Sequence, residues 1–76
     1  MTLKEIAEAV VQHDSSFACK IQRKKNQIIV TCADWPDECS VLLSPYYQQH
    51  VTDGTFGQKE LDGILVEVDR IRKYGM

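Results

Sequence analysis

The sequence has few of the features that mark a specialised class of protein. It has 76 residues, with three Cys and two His. No apolar run approaches the roughly 20 residues that a membrane-spanning helix needs, and the first ten residues contain acids and no signal-peptide core. We therefore expect one domain over residues 1–76, located in the cytoplasm, with reduced thiols and no membrane partner.

A strong charge of one sign is also missing. Nine basic and eleven acidic residues give a net charge of −2, which provides no general attraction for nucleic acids. There is no internal repeat, no phosphate-binding loop and no Cys-x-x-Cys pair. The hydrophobic fraction of 43% is typical of an ordinary small globular domain.

Two segments show the 3.6-residue periodicity of amphipathic helices. Thr2 followed by Glu5 is a capping-box pattern that begins the first helix. The second helix is predicted to begin near Gly57, where Thr55 and Gln58 form a similar pattern. The two apolar stripes consist of Leu3, Ile6, Ala7 and Val10, and of Leu61, Ile64, Leu65, Val68 and Ile71.

Three runs between these helices show the two-residue alternation that is typical of half-buried strands. They begin at Phe17, Ile28 and Glu38, and segments of turn-forming composition separate them. A short helical turn is predicted after the third run, capped by Ser44 with Pro45 in its first position. The elements therefore follow the order helix, three strands, turn and helix.

The positions of the turns predict how the strands align. A first turn centred on Lys25 and Asn26 places Cys19 opposite Cys32, and a second turn centred on Trp35-Pro36 aligns the third strand with the second. Both alignments gather apolar side chains on one face of the sheet, whereas a one-residue slip would scatter them. The predicted apolar face consists of Cys19, Ile21, Ile28, Val30, Cys32, Cys39, Val41 and Leu43.

The predicted fold class is α+β, in a two-layer α-β-β-β-α arrangement. The sheet is a three-stranded antiparallel meander. Both helices pack on its apolar face, because two helix stripes and one sheet face need to be covered. The opposite side of the sheet, called the open face below, is left uncovered.

The residues that carry chemistry in other proteins are not spaced as in a catalytic or metal site. Cys19, Cys32 and Cys39 with His13 or His50 would supply four zinc ligands, but no knuckle brings two thiolates together. The predicted register instead buries the thiols, where Cys behaves as a small apolar residue. Redox pairing between neighbouring thiols is the alternative. No enzyme activity, cofactor or metal is predicted.

The open face is the main candidate for a functional surface. In the predicted register Ile29 lies opposite Leu42, so two bulky apolar side chains share a face that no helix covers. Aromatic residues, which are favoured anchors in protein interfaces, flank the sheet. They could instead pack into the core. The predicted protein-interaction residues are Ile29, Thr31, Trp35, Leu42, Tyr46 and Tyr47.

A basic cluster at the first hairpin supports an alternative function. It consists of Lys20, Arg23, Lys24 and Lys25. The α-β-β-β-α order is similar to that of double-stranded RNA-binding domains, which contact RNA partly through basic residues opening the last helix, and this resemblance implies RNA binding. It covers element order only, since the last helix here opens with the nearly neutral residues 58–60.

These patterns together predict a small non-enzymatic domain that binds another protein or a second copy of itself. Binding would use the open face or an edge strand, and a homodimer is plausible because so small a core gains from burying more surface. Such a domain would act as a regulator, an inhibitor or an adaptor, roles that are common among small proteins of phages and mobile elements. A module that contacts RNA or DNA is the alternative.

Overall fold

The computed structural model describes residues 1–75 and confirms the α+β fold class. The three strands form an antiparallel sheet in the order β1-β2-β3. One correction concerns the segment after β3, which is a nine-residue helix and not a single turn. The elements are α1 (Leu3–His13), β1 (Phe17–Gln22), β2 (Gln27–Cys32), β3 (Trp35–Val41), α2 (Pro45–Asp53) and α3 (Gln58–Tyr74), with a 3₁₀ turn at Arg23–Lys25.

The two long helices begin close to their predicted positions. At the start of α1, the Glu5 N–H donates to Thr2 Oγ1 (3.2 Å) and the Thr2 N–H donates to Glu5 Oε1 (2.9 Å), which is the predicted capping box. At the start of α3, the Gly57 N–H donates to Glu60 Oε1 (3.0 Å). The cap of α3 is therefore shifted by two residues from the predicted pair.

Both long helices pack on the same face of the sheet. They run side by side in the same direction. At one end the Met1 amino group donates to the Phe56 carbonyl (2.8 Å), and near the other end His13 is hydrogen-bonded to Asp69 (2.8 Å). Their stripes meet the strands in one hydrophobic core. The buried strand residues in this core are Phe17, Ile28, Val30 and Cys32.

The alignment of β1 with β2 differs from the predicted one by two residues. Cys19 lies opposite Val30, and Phe17 lies opposite Cys32. Because side chains alternate between the two faces, a shift of two residues leaves each side chain on its predicted face. Phe17 is accordingly buried under the helices, and Cys19 and Ile21 are half-buried there.

The alignment of β2 with β3 differs by one residue, which turns β3 over. The turn lies at residues 33–34, so Trp35 already begins the strand and Val41 lies opposite Ile29. Since the side-chain period is two, this shift moves the paired end of β3 to the opposite face. The predicted register of the third strand is therefore wrong.

Three predictions change with this register. Val41 is 59% exposed on the open face and does not belong to the core. Leu42 is 5% exposed, and its N–H donates to the Ile28 carbonyl (2.8 Å), so the prediction that Leu42 lies on the open face is wrong. Cys39, which was predicted to be buried, is exposed.

Gly63 allows α2 to pack against α3 through Tyr47. A methyl group on Gly63 would overlap the Tyr47 hydroxyl but would lie 3.4 Å from the ring carbon Cζ, an ordinary contact. We expect Gly63→Ala to destabilise the wild type by about 1 kcal/mol, because the clash with the Tyr47 hydroxyl outweighs the higher helix propensity of alanine. In the Tyr47→Phe variant, which lacks the hydroxyl, the same substitution is expected to stabilise the protein by about 0.5–1 kcal/mol. Urea unfolding of the four proteins measures this coupling, and additive effects would contradict it.

Candidate functional site

The open face carries a short row of one basic and two apolar side chains that no long helix covers. Lys20, Ile29 and Val41 lie side by side across the three strands. Val41 is 59% exposed and Ile29 is half-buried. Ala18 and Thr31 form the next pair along β1 and β2, and both are exposed. The neighbour of Ile29 on the open face is therefore Val41, whereas the sequence predicted Leu42.

The predicted aromatic anchors lie away from this row. Trp35 is half-buried and packs against the end of α3, since a Cβ on Gly75 would lie 3.1 Å from the nearest of its ring atoms. Tyr47 is half-buried beside Phe56, with ring centroids 6.0 Å apart. Tyr46 is 60% exposed. Of the three aromatic side chains, only that of Tyr46 is left largely free for a partner.

A second surface lies between α1 and the outer edge of β1. It is a groove of about 370 Å³, called the β1 groove below. Val11, which lies outside the apolar stripe of α1, is 39% exposed there. The only sequence signals for it are this extra valine and the expectation of a free strand edge. The lining residues are Lys4, Ala7, Glu8, Val11, Gln12, Cys19 and Ile21.

The Cys19 thiol belongs to the floor of this groove and has little nucleophilic character. Burial raises the pKa of the Cys19 thiol above its ordinary value. At neutral pH the thiol is therefore protonated, and the thiolate is the reactive form of cysteine. Cys32 is buried and Cys39 is exposed, and all three thiols are free. Cys19 thus contributes an apolar contact surface to the groove.

A larger cleft, of about 560 Å³, lies between the end of β3, the start of α2 and the middle of α3. Its one carboxylate, Glu67, accepts a hydrogen bond from Arg70 Nε (2.9 Å). This hydrogen bond lowers the pKa of Glu67, so that the group is ionised at neutral pH. A general acid would need the opposite shift, and the cleft therefore offers no group poised for that role.

The basic cluster lies on an exposed turn that is fixed to α2. Arg23, Lys24 and Lys25 form the 3₁₀ turn between β1 and β2 and are exposed. Asn26 follows in the left-handed conformation (φ 49°), and its Nδ2 donates to the Gln48 carbonyl (2.8 Å). Lys20, the fourth member, lies on the open face beside Ile29. The four cations therefore do not form one compact patch on the turn.

Among residues 1–75, no three His, Cys, Asp or Glu side chains lie close enough together to hold a metal ion. No helix in the same range is both long enough and apolar enough to cross a bilayer. Comparison with models of protein families, with curated proteins and with solved structures gives no match for this chain.

Proposed function

We propose that this protein is a non-enzymatic cytoplasmic domain that regulates, inhibits or links another protein by binding it through the open face. One observation carries the proposal. Both long helices pack on the opposite side of the sheet, and the row formed by Lys20, Ile29 and Val41 is left uncovered. Exposed apolar side chains that are grouped on one surface are typical of protein interaction sites.

The chemistry of the row indicates what kind of partner surface fits it. Val41 and Ile29 are stiff, β-branched side chains, which lose little conformational freedom when a partner covers them. Lys20 adds one positive charge at the β1 end of the row. A partner with an apolar centre and a carboxylate at its rim would complement this surface. A second copy of the chain is one partner of the proposed class.

Substitution of Val41 tests the proposal without disturbing the core. Because Val41 is 59% exposed, Val41→Glu is expected to leave the fold intact and to reduce partner binding at least tenfold, since the partner would have to bury a carboxylate. Val66→Glu on α3 is the matched control, because Val66 is 67% exposed. Affinity capture from cells of the native host, followed by quantitative mass spectrometry, compares these two variants with the wild type.

The outcomes of this comparison are distinct. Proteins that the wild type and Val66→Glu capture and that Val41→Glu loses support the proposal. Equal capture by all three folded proteins would refute a binding role for the open face. Light scattering on the same samples identifies a second copy as the partner, because the wild type would then be dimeric and Val41→Glu monomeric.

Nucleic-acid binding through Lys20 and Arg23–Lys25 is the second candidate. The hydrogen bonds from Asn26 that fix the basic turn to α2 favour it, since a fixed turn loses little entropy on binding. The net charge of −2 counts against it. In this case Lys24→Gln with Lys25→Gln would reduce binding in a salt-dependent manner, whereas Val41→Glu would leave binding unchanged.

A further inference from the structure

The free edge of β1 presents backbone groups that the sheet does not use. The Ala33 N–H donates to the Ser16 carbonyl (2.8 Å), which fixes the phase of the ladder between β1 and β2. Hydrogen-bonded and non-hydrogen-bonded pairs alternate along an antiparallel ladder. Residues 18, 20 and 22 therefore bond to β2, and the N–H and C=O groups of Cys19 and Ile21 point outward.

The second ladder of the sheet has a matching phase. The Leu42 N–H donates to the Ile28 carbonyl (2.8 Å), so residues 28 and 30 of β2 bond to β3. By the same alternation, residues 29 and 31 bond to β1. Each residue of β2 therefore bonds either to β1 or to β3, and never to both. The two ladders agree that the N–H and C=O groups of Cys19 and Ile21 point away from β2.

The same two residues also form the floor of the β1 groove. Their side chains are half-buried on the helix side of the sheet, facing Ala7 and Val11 of α1. A strand added at this edge would place its residues opposite Cys19 and Ile21 on that same side. Their side chains would enter the groove, while the residue between them would lie on the open face opposite Lys20.

A second copy of this chain is expected to be crowded at the β1 edge. Helix α1 lies above β1, because Ala7 and Val11 line the same groove as Cys19 and Ile21. Two β1 strands joined edge to edge would lie about 5 Å apart, and the α1 helices above them would be about as close. Packed helices need 8–10 Å between their axes. A strand without a helix over it avoids this crowding and is the occupant that suits the edge.

The edge of β3 is less suited to an added strand. Its first half contains Pro36, Asp37 and Glu38, all of them exposed. Proline cannot donate a hydrogen bond, and charged residues discourage pairing at a strand edge. In β1 the only charged residue is Lys20, whose side chain points to the open face and away from the groove.

We infer that the β1 edge binds an extended segment of another protein as a fourth, antiparallel strand, with apolar residues at alternate positions in the β1 groove and an acidic residue opposite Lys20. This inference concerns the edge of the sheet and shares only Lys20 with the row on the open face. It holds or fails independently of the proposed function, since Val41 lies across the sheet on β3.

A synthetic heptapeptide, acetyl-Thr-Val-Glu-Val-Thr-Val-Thr-amide, is the probe. In the inferred register its valines lie opposite Phe17, Cys19 and Ile21, and its glutamate lies opposite Lys20. N-methylation of the central valine removes the hydrogen bond to the Cys19 carbonyl. N-methylation of the threonine that follows this valine is the matched control, because that N–H points away from β1.

Titration of the ¹⁵N-labelled protein, followed by NMR, gives the affinity and the location of binding. The shift changes are expected to concentrate at residues 17–22 and in α1. Methylation of the central valine is expected to weaken binding about tenfold, and methylation of the threonine less than twofold. The Cys19 and Ile21 amides are expected to exchange rapidly with solvent in the free protein and to become protected in the complex.

Variants of the protein separate this site from the open face. Val11→Glu places a carboxylate in the groove at a 39% exposed position and is expected to weaken peptide binding about tenfold, whereas Val66→Glu and Val41→Glu are expected to have no effect. An absence of shift changes at β1 with 1 mM peptide would overturn the inference. Equal losses from the two methylated peptides, or shift changes confined to Ile29 and Val41, would also overturn it.

Discussion

Leu42→Glu is expected to unfold the protein at 25 °C, whereas Val41→Glu, at the adjacent position, is expected to leave it folded. Leu42 is 5% exposed and Val41 is 59% exposed. Truncation of a buried leucine alone costs about 2–5 kcal/mol, and an unpaired buried carboxylate adds several more. A domain of this size is stable by only about 5–10 kcal/mol, so the first change removes most or all of its stability.

Circular dichroism with urea unfolding measures both variants. The alanine variants give a milder comparison, since Leu42→Ala is expected to lose about 2–5 kcal/mol and Val41→Ala less than about 0.5 kcal/mol. The opposite ranking, with Val41 more sensitive than Leu42, would mean that β3 adopts the alignment predicted from the sequence and not the one described here.

Gln27→Glu is expected to destabilise the fold by about 2–4 kcal/mol at pH 7 and by much less at pH 4. The Gln27 side chain takes the place of a strand neighbour for Leu43: its Nε2 donates to the Leu43 carbonyl (2.7 Å), and its Oε1 accepts from the Leu43 N–H (2.7 Å). Gln27 is buried. A carboxylate there cannot donate to the carbonyl, but a protonated carboxyl can.

The sign of this pH dependence follows from linkage. The new carboxyl would be buried against the Leu43 carbonyl, which raises its pKa in the folded state above the unfolded value of about 4.3. We expect this effect to outweigh the Ile28 and Leu43 N–H groups, which favour the ionised form. The folded variant therefore loses stability as the pH rises from about 4 through the folded pKa. The wild type has the opposite trend, because hydrogen bonds lower the pKa of Asp14 and Glu67, whose contributions are lost as the pH falls.

Urea unfolding at pH 4 and pH 7 therefore has to be compared between the variant and the wild type. The difference between the two proteins isolates the new carboxyl group, since the other titrating groups are shared. A penalty that is the same at both pH values would contradict the hydrogen-bonding role assigned to Gln27. Gln27→Leu, which removes all three hydrogen bonds of the Gln27 side chain without adding a titrating group, is the control with a pH-independent loss.

The two long helices were predictable because their periodicity extends over many residues. Helix α1 has 11 residues and α3 has 17, or about three and almost five turns, so an error of one or two residues at an end leaves the buried face unchanged. The capping box of Thr2 and Glu5 fixed the start of α1 in the same way. In β1, an error of two residues in the alignment was harmless because the strand period is also two.

The third strand was not predictable at the same level. Val41, Leu42 and Leu43 are consecutive apolar residues, so the hydrophobic pattern permits either Val41 or Leu42 to face the core. The choice depends on whether the turn lies at residues 33–34 or at residues 35–36, and each pair contains one turn-forming residue, Asp34 or Pro36. An error of one residue exchanges the two faces of the strand and places the wrong side chain at the candidate site.

The β1 groove and the pairing of Gln27 with Leu43 depend on tertiary structure. Val11 and Ile21 are ordinary members of a helix and a strand, and they share a groove only because α1 packs above an edge strand. Glutamine side chains that replace a strand neighbour have no characteristic spacing, since the two partners are 16 residues apart. The pairing of Gln27 with Leu43 therefore had no signal in the local sequence pattern, and the groove had only the extra valine of α1 and the expected free strand edge.

Native mass spectrometry of the untagged protein, purified from its own host at low ionic strength, tests whether the open face is the binding surface. We expect the wild type to appear in a stoichiometric assembly with another protein or with a second copy, and Val41→Glu to appear as the free chain. A free wild-type chain, or an assembly that Val41→Glu retains in full, would contradict the claim that the open face is the binding surface.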